Sequence, residues 1–147
     1  MDPQRQRIQE DLRGLIAGDV RCDDVFLELY STDASIYQIR PLGIVRPRST
    51  EDVAACLRYC SQNQIPLHPR GAGSGLAGES LGAGLVLDCS TYLRSILSID
   101  EGSARLQPGV IGNVKVCDSG WCRIFGEGFD GYIEQSSLWG VYPDEKL

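Results

Sequence analysis

The stretch of this chain best suited to chemistry is PRGAGSGLAGES, residues 69–80, in which Gly73, Gly75 and Gly78 form a G-x-G-x-x-G pattern. Glycines at this density let backbone N–H groups approach a phosphate closely, because no Cβ stands in the way. The pattern indicates either an anion site or a set of tight turns. Arg70 then serves as a source of local positive charge or as one half of a surface ion pair.

Two predicted strands and a helix deliver the chain to this loop. GIVRP at 43–47 and IPLHP at 65–69 are typical of short strands, and the segment between them predicts a helix over 50–63. Ser49 suits the N-cap of that helix, with Asp52 three residues on as a shorter relative of the capping-box acid. The predicted buried face of the helix consists of Val53, Leu57 and Cys60.

A Rossmann dinucleotide site needs a helix directly after the glycine pattern, and the sequence does not supply one. LVLD at 85–88 reads as another strand, and the glycines between Gly78 and Gly84 each cost about 1 kcal/mol in a helix. Asp88 follows the pattern too closely to be a ribose-binding acid, and no Gly-Lys-Ser/Thr marks a P-loop. What remains is a loop of backbone N–H donors that can hold a diphosphate.

The other predicted elements complete an α/β domain with a small, mainly parallel sheet covered by the 50–63 helix. A helix is expected to start near Arg5 and end near Gly18, with a short helix in DDVFLELY. Strands near 95–99 and 103–107 are expected to form a hairpin through Asp100, Glu101 and Gly102. The lone histidine, His68, precedes the loop on a strand, where a structural role is favoured.

Composition excludes several classes of partner. A net charge of −6 argues against a nucleic-acid surface or an anionic membrane as the main partner. No stretch approaches the roughly 20 apolar residues of a membrane span, and the N-terminal sequence lacks the apolar region of a signal peptide. A cytoplasmic location is therefore expected, with all six cysteines reduced and no metal bound.

The run from Leu29 to Val110 resembles the FAD-binding domain of the vanillyl-alcohol oxidase and p-cresol methylhydroxylase (PCMH-type) superfamily. Within it, the chain is most similar to the group of D-lactate dehydrogenase, glycolate oxidase and D-2-hydroxyglutarate dehydrogenase. The matching motifs are YSTDAS at 30–35, the P-x-S-T-E-D-V helix start at 47–53, PRGAGSG at 69–75 and QPGV at 107–110.

The resemblance implies FAD as cofactor and assigns the residues near it. The implied cofactor-binding residues are Arg70, Gly71, Ala72, Gly73, Ser74 and Gly75 around the pyrophosphate, Gly78 and Ser80 close to the same cofactor, and Pro108, Gly109 and Val110 toward the adenosine. Ser74 stands where covalently flavinylated relatives carry a histidine, so non-covalent FAD is expected. A Gly73→Val substitution is then expected to abolish FAD binding.

The implied activity is oxidation of a D-2-hydroxy acid to a 2-oxo acid, but the chain departs from the family pattern after Val110. We therefore expect a helical extension at 1–28, a partial FAD-binding subdomain at 29–110 and a divergent, aromatic-rich tail at 111–147. No catalytic residue is assigned. One hypothesis is the N-terminal part of a flavin-dependent oxidoreductase, either truncated or one piece of a split enzyme that meets its substrate domain on another chain. The alternative is a non-catalytic remnant that binds little FAD, or an interaction module acting through the tail.

Overall fold

The computed structural model describes residues 2–100, 103–126 and 129–135. The chain divides into two compact units, Met1–Leu93 and Arg94–Leu147. Within the described ranges, no helix is long and apolar enough to cross a membrane.

The first unit is an α/β fold built on a four-stranded sheet. Its order is β1-β2-β4-β3, in which β2, β4 and β3 run parallel and β1 pairs antiparallel with β2. The mainly parallel sheet predicted from the sequence is confirmed, and β1 is an addition to it. The elements are α1 (Pro3–Arg13), β1 (Asp19–Arg21), α2 (Asp24–Leu29), β2 (Gly43–Arg46), α3 (Thr50–Asn63), β3 (Leu67–Arg70) and β4 (Leu85–Asp88).

Helix α3 forms over the predicted residues, and of its predicted buried face Cys60 is buried and Val53 packs against the core. Ser49 caps it by accepting a hydrogen bond from the Asp52 N–H at 3.2 Å, as predicted. The prediction that Leu57 is buried is wrong, and its side chain is exposed. The buried stripe of α3 follows residues 52, 56, 59 and 60, and position 57 lies outside it.

Asp52 does more than the sequence indicates. Its carboxylate accepts from the Arg48 N–H at 2.9 Å and from the Ala17 N–H at 3.0 Å. The acid therefore reaches one residue before the capping Ser49 and also fastens the segment between α1 and β1 to the start of α3.

Helix α1 is shorter than predicted. It ends at Arg13, where the Gly14 N–H bonds back to the carbonyls of Glu10 and Asp11, and Leu15 beyond it is exposed. The buried residues Ile8 and Leu12 pack into the main core together with residues of the sheet and α3.

The second unit contains two antiparallel sheets. These are a hairpin of β5 (Ile96–Asp100) and β6 (Ser103–Leu106), and a meander of β7 (Asn113–Asp118), β8 (Trp121–Gly126) and β9 (Phe129–Glu134). The predicted hairpin pairing is confirmed, while residues 101 and 102 of its turn lie outside the described residues. The described residues of the tail form the strands β7, β8 and β9.

The β7–β8 turn explains a correction to the cysteine prediction. Ser119 and Gly120 both have positive φ, 53° and 81°, as the two central residues of a type I′ hairpin turn require. This turn places Cys117 directly opposite Cys122, and the two form a disulfide instead of remaining reduced. The other four cysteines are free and buried, namely Cys22, Cys56, Cys60 and Cys89.

Candidate functional site

The glycine-rich loop runs from the end of β3 to the start of β4, at the carboxyl end of a parallel strand pair. Gly73 and Gly78 have φ of 69° and 82°, the left-handed region that favours glycine. No helix forms between Gly75 and Gly84, as predicted. The chain returns to the sheet where the Leu85 N–H donates to the Pro66 carbonyl at 2.9 Å.

The loop presents a run of uncommitted backbone donors. Within the described part of the chain, no backbone N–H of residues 71–78 donates a hydrogen bond, although the Gly73 and Gly78 carbonyls accept from Ala34 and Leu81. Gly71, Ala72 and Ser74 are exposed. Nothing lies within 4 Å of the position that a Cβ on Gly71 would take. Such a run of free N–H groups is the chemistry that an anion requires.

The Arg70 guanidinium makes its contacts with other residues of the protein. Its Nη1 donates to the Thr32 carbonyl at 2.9 Å, and its Cζ lies 5.1 Å from the centroid of the Tyr30 ring. A Cβ on Gly73 would overlap the same guanidinium. Arg70 therefore ties the glycine-rich loop to the segment that follows α2, a third role beside the phosphate contact and the surface ion pair considered from the sequence.

Asp33 makes a second tie between these two segments. Its carboxylate accepts from the Ser35 N–H at 2.9 Å and from the Ser80 hydroxyl at 2.9 Å. Hydrogen bonds from Ser35, then from Ser80, and the charge of Arg70 hold the pKa of Asp33 below its usual range. The Ser80 hydroxyl therefore already donates its hydrogen bond to a carboxylate. At Gly78, an added Cβ would overlap the Tyr37 ring.

A buried polar network stands behind Arg70, and the sequence reasoning missed it. The Tyr30 hydroxyl donates to Asp88 Oδ2 at 2.6 Å and accepts from Arg46 Nη2 at 2.9 Å, while Arg46 Nε lies 3.4 Å from Asp88 Oδ2. Burial, and then donation to Asp88, raise the pKa of Tyr30. Tyr30 lies just before the Thr32 carbonyl that Arg70 binds, and Asp88 ends the strand that follows the loop. Nothing in their sequence spacing shows that the two side chains meet.

The remaining predicted cofactor residues, Pro108, Gly109 and Val110, belong to the second unit. There the Val110 N–H closes a turn onto the Gln107 carbonyl at 3.1 Å, and Gly109 is buried. The Gln107 side chain accepts from the Ser95 N–H at 2.8 Å and fixes this turn beside the β5–β6 hairpin.

Neither a metal cluster nor a reactive thiol accompanies the loop in the described residues. No group of three or more His, Cys, Asp or Glu side chains is placed to hold a metal ion there. His68, on β3, has its ring against Gly82, where a Cβ would overlap it. Burial raises the pKa of Cys22 to about 11 and that of Cys56 to about 12, so both thiols stay protonated at neutral pH.

A mainly parallel sheet with a glycine-rich loop of free backbone N–H groups between two of its strands is typical of α/β domains of the nucleotide-cofactor class. The chain belongs to the FAD binding domain family, whose model matches residues 41–115, half of the chain. A second model, that of the bacterial SH3 domain, matches residues 101–140. FAD is accordingly the cofactor of this domain.

Two curated relatives are similar to about half of this chain. The chain is 42% identical over 86 residues to D-2-hydroxyglutarate dehydrogenase of Escherichia coli (strain K12), covering 55% of this chain and 8% of that protein. It is 40% identical over 88 residues to glycolate oxidase subunit GlcD of Bacillus subtilis (strain 168), covering 56% of this chain and 18% of that protein. The chain thus spans less than a fifth of the length of these relatives.

Among solved structures, p-cresol methylhydroxylase with bound substrate matches with a TM-score of 0.57 at 19% identity. The match covers 75% of this chain and 23% of that structure. The likeness confirms the PCMH-type fold expected from the sequence.

The residues present fit the diphosphate of FAD. The free amides of residues 71–78 supply donors, and the open space at Gly71 permits close approach. The serine at position 74 has no imidazole to form a histidyl link to a flavin. Arg70 contributes positive potential from its place beside Gly73.

Proposed function

We propose that the glycine-rich loop binds the pyrophosphate of FAD non-covalently, as the nucleotide-binding part of a flavin-dependent oxidoreductase. The run of free amides at residues 71–78 carries this proposal. The proposed contacts are Arg70, Gly71, Ala72, Gly73, Ser74, Gly75, Gly78 and Ser80, with Pro108, Gly109 and Val110 serving the adenosine end.

The proposed reaction is oxidation of a D-2-hydroxy acid of the lactate, glycolate or 2-hydroxyglutarate type to the 2-oxo acid. FAD, when bound, supplies the acceptor for the hydride that leaves the substrate carbon. The names of the relatives support this substrate class. The residues of this chain bind and orient the nucleotide, and none of them is assigned to proton transfer or substrate binding.

We further propose that these residues are inactive by themselves and that turnover needs a substrate domain outside them. The small share of each relative that the chain covers supports this view. We keep, as proposals from the sequence, the divisions at 1–28, 29–110 and 111–147 and a cytoplasmic location.

Calorimetry with FAD, ADP and riboflavin tests the nucleotide assignment. A micromolar complex corresponds to about −8 kcal/mol, which a few charge-assisted bonds from an ordered loop can approach. ADP should retain most of the FAD affinity and riboflavin almost none, because the contacts lie on the pyrophosphate and adenosine. Equal binding of riboflavin and FAD, or no binding of FAD and ADP, would refute the proposed function. Turnover of D-lactate, glycolate or D-2-hydroxyglutarate by the isolated chain would refute its incompleteness.

An interaction module remains the second candidate, favoured by one observation in the β7–β8–β9 sheet. Trp121 is half exposed, and the register places Asp118 and Glu134, both exposed, directly opposite it on the two neighbouring strands. Phe125 and Tyr132 add exposed aromatic surface. An aromatic ring between carboxylates suits a lysine or arginine side chain of a partner. Purified protein without flavin absorbance that binds no added FAD would favour this candidate.

A further inference from the structure

We propose that Tyr30, anchored by Asp88, is a positioning residue that fixes Arg70 and, through Arg70, sets the conformation of the glycine-rich loop before any ligand arrives. The functional meaning of this inference rests on the proposed role of the loop in binding a diphosphate. The conformational claim itself concerns only residues of this chain.

Asp88 gives Tyr30 a rigid point of attachment. It ends β4, a central strand of the sheet, and its side chain is 2% exposed. Its oxygens accept from the Ser90 N–H at 2.8 Å and from the Ser90 and Thr91 hydroxyls, in addition to Tyr30. A carboxylate held by so many donors on a central strand cannot swing, so the phenol oxygen bonded to it at 2.6 Å is fixed as well.

The ring of Tyr30 is held on a second side. Phe26, one turn earlier in the chain, stacks on it with centroids 6.4 Å apart and an interplanar angle of 17°. Arg46 bonds to its hydroxyl through both Nε and Nη2. The aromatic face that Arg70 meets therefore has a defined place and direction.

Arg70 transmits this placement to the loop. Its guanidinium lies within the roughly 6 Å range of an attractive cation–π contact with Tyr30 and also donates to the Thr32 carbonyl. On the loop side it fills the space beside Gly73, and the Gly73 carbonyl accepts from the Ala34 N–H at 3.0 Å. Removing the ring leaves the guanidinium only the Thr32 carbonyl and the charge of Asp33, so Gly73 and its neighbours lose part of their support.

A purely stabilising role for Tyr30 is the alternative, and the chain contains a matched control for it. Tyr92, in the same unit, lies under Arg48 at 4.2 Å, donates to Asp19 at 2.7 Å and accepts from Arg48 at 3.0 Å. It makes the same kinds of contact as Tyr30, but its partners are not attached to the loop.

The test compares Tyr30→Leu and Tyr30→Phe with Tyr92→Leu and Tyr92→Phe by backbone NMR relaxation on the ligand-free chain. Tyr30→Leu should lower the order parameters of the Gly71–Gly75 amides to below about 0.6, the flexible range, and speed exchange of the Ala34 amide. Tyr30→Phe should give a smaller change in the same direction, and both Tyr92 variants should give none. ADP affinity should fall about tenfold in Tyr30→Leu alone.

Wild-type order in the loop of both Tyr30 variants would overturn the inference, as would equal loss of loop order in the Tyr92 variants. If Tyr30→Leu does not fold, the comparison of the milder Tyr30→Phe with Tyr92→Phe decides the inference. The relaxation comparison needs no ligand. Failure of the wild-type chain to bind ADP would therefore refute the proposed function. The relaxation comparison would still decide whether Tyr30 positions the loop.

Discussion

At Gly71, the effect of a substitution on phosphate binding can be measured separately from its effect on the stability of the fold. A Cβ at Gly71 meets nothing within 4 Å, and its φ lies outside the left-handed region. Gly71→Ala should therefore leave the free energy of unfolding unchanged or raise it by about 0.4–1 kcal/mol, because the unfolded chain loses freedom. Gly71→Val adds a branched side chain in the same open space.

The expected effect on binding has the opposite sign. If the valine side chain of Gly71→Val keeps the phosphate from one or two amides, and each charge-assisted bond is worth about 1.5–3 kcal/mol, the loss is roughly 3 kcal/mol. That corresponds to roughly 100-fold weaker binding of both FAD and ADP. Calorimetry gives the affinities, and urea unfolding of the same samples gives the stability.

Gly131→Ala provides the matched control, since its Cβ also meets nothing within 4 Å but lies on β9 in the second unit. It should leave the affinities unchanged, and it should leave the free energy of unfolding unchanged or raise it by about 0.4–1 kcal/mol, as expected for Gly71→Ala. Wild-type FAD affinity in Gly71→Val would refute the reasoning, because a phosphate that tolerates a valine at this position does not use this part of the loop.

Two further predictions concern the cysteines. Without reductant, Ellman's reagent at pH 8 should label no thiol of the native chain, four after denaturation and six only after reduction; six labelled thiols in unreduced, denatured protein would contradict the Cys117–Cys122 bond. The free energy of unfolding should also fall in alkali, because burial raises the pKa of Cys22 to about 11 and that of Cys56 to about 12. The stabilisation from these two protonated thiols is complete below the pKa of an unfolded cysteine, about 8.5. It is lost as the pH rises from there toward the folded pKa values. Urea unfolding from pH 7 to 11 should show a shallower alkaline loss for Cys56→Ala, and an unchanged slope would contradict the assignment.

The sheet and α3 could be predicted because their signals are local. Ser49 before an apolar periodic segment fixes the start of a helix, and a short β-branched run bounded by glycine and proline marks β2. The face of α3 was misjudged at Leu57 because several phases of apolar residues fit its sequence. Only packing of Cys56 and Tyr59 into the core selects one of them.

The loop could be located from its glycines, but not the purpose of each glycine. Gly71 and Gly73 look equivalent in sequence, yet one has open space at its Cβ and the other faces a guanidinium. The disulfide was missed for a related reason. A spacing of Cys-x4-Cys gives no bond until a two-residue turn at Ser119 and Gly120 places the two strands in register.

Arg70 shows why the residue most suggestive in sequence is a poor probe of the site. Its partners Thr32 and Tyr30 lie far away in the chain, and only the packing of α2 against the sheet at β2 brings them to the end of β3. Replacing Arg70 would remove a charge and release the loop together, and replacing Gly73 would displace Arg70 and force a side chain into a φ of 69°. Either change would weaken FAD binding whether or not a phosphate touches the loop. The assignment therefore depends on Gly71, where an added Cβ meets nothing within 4 Å in the described part of the protein.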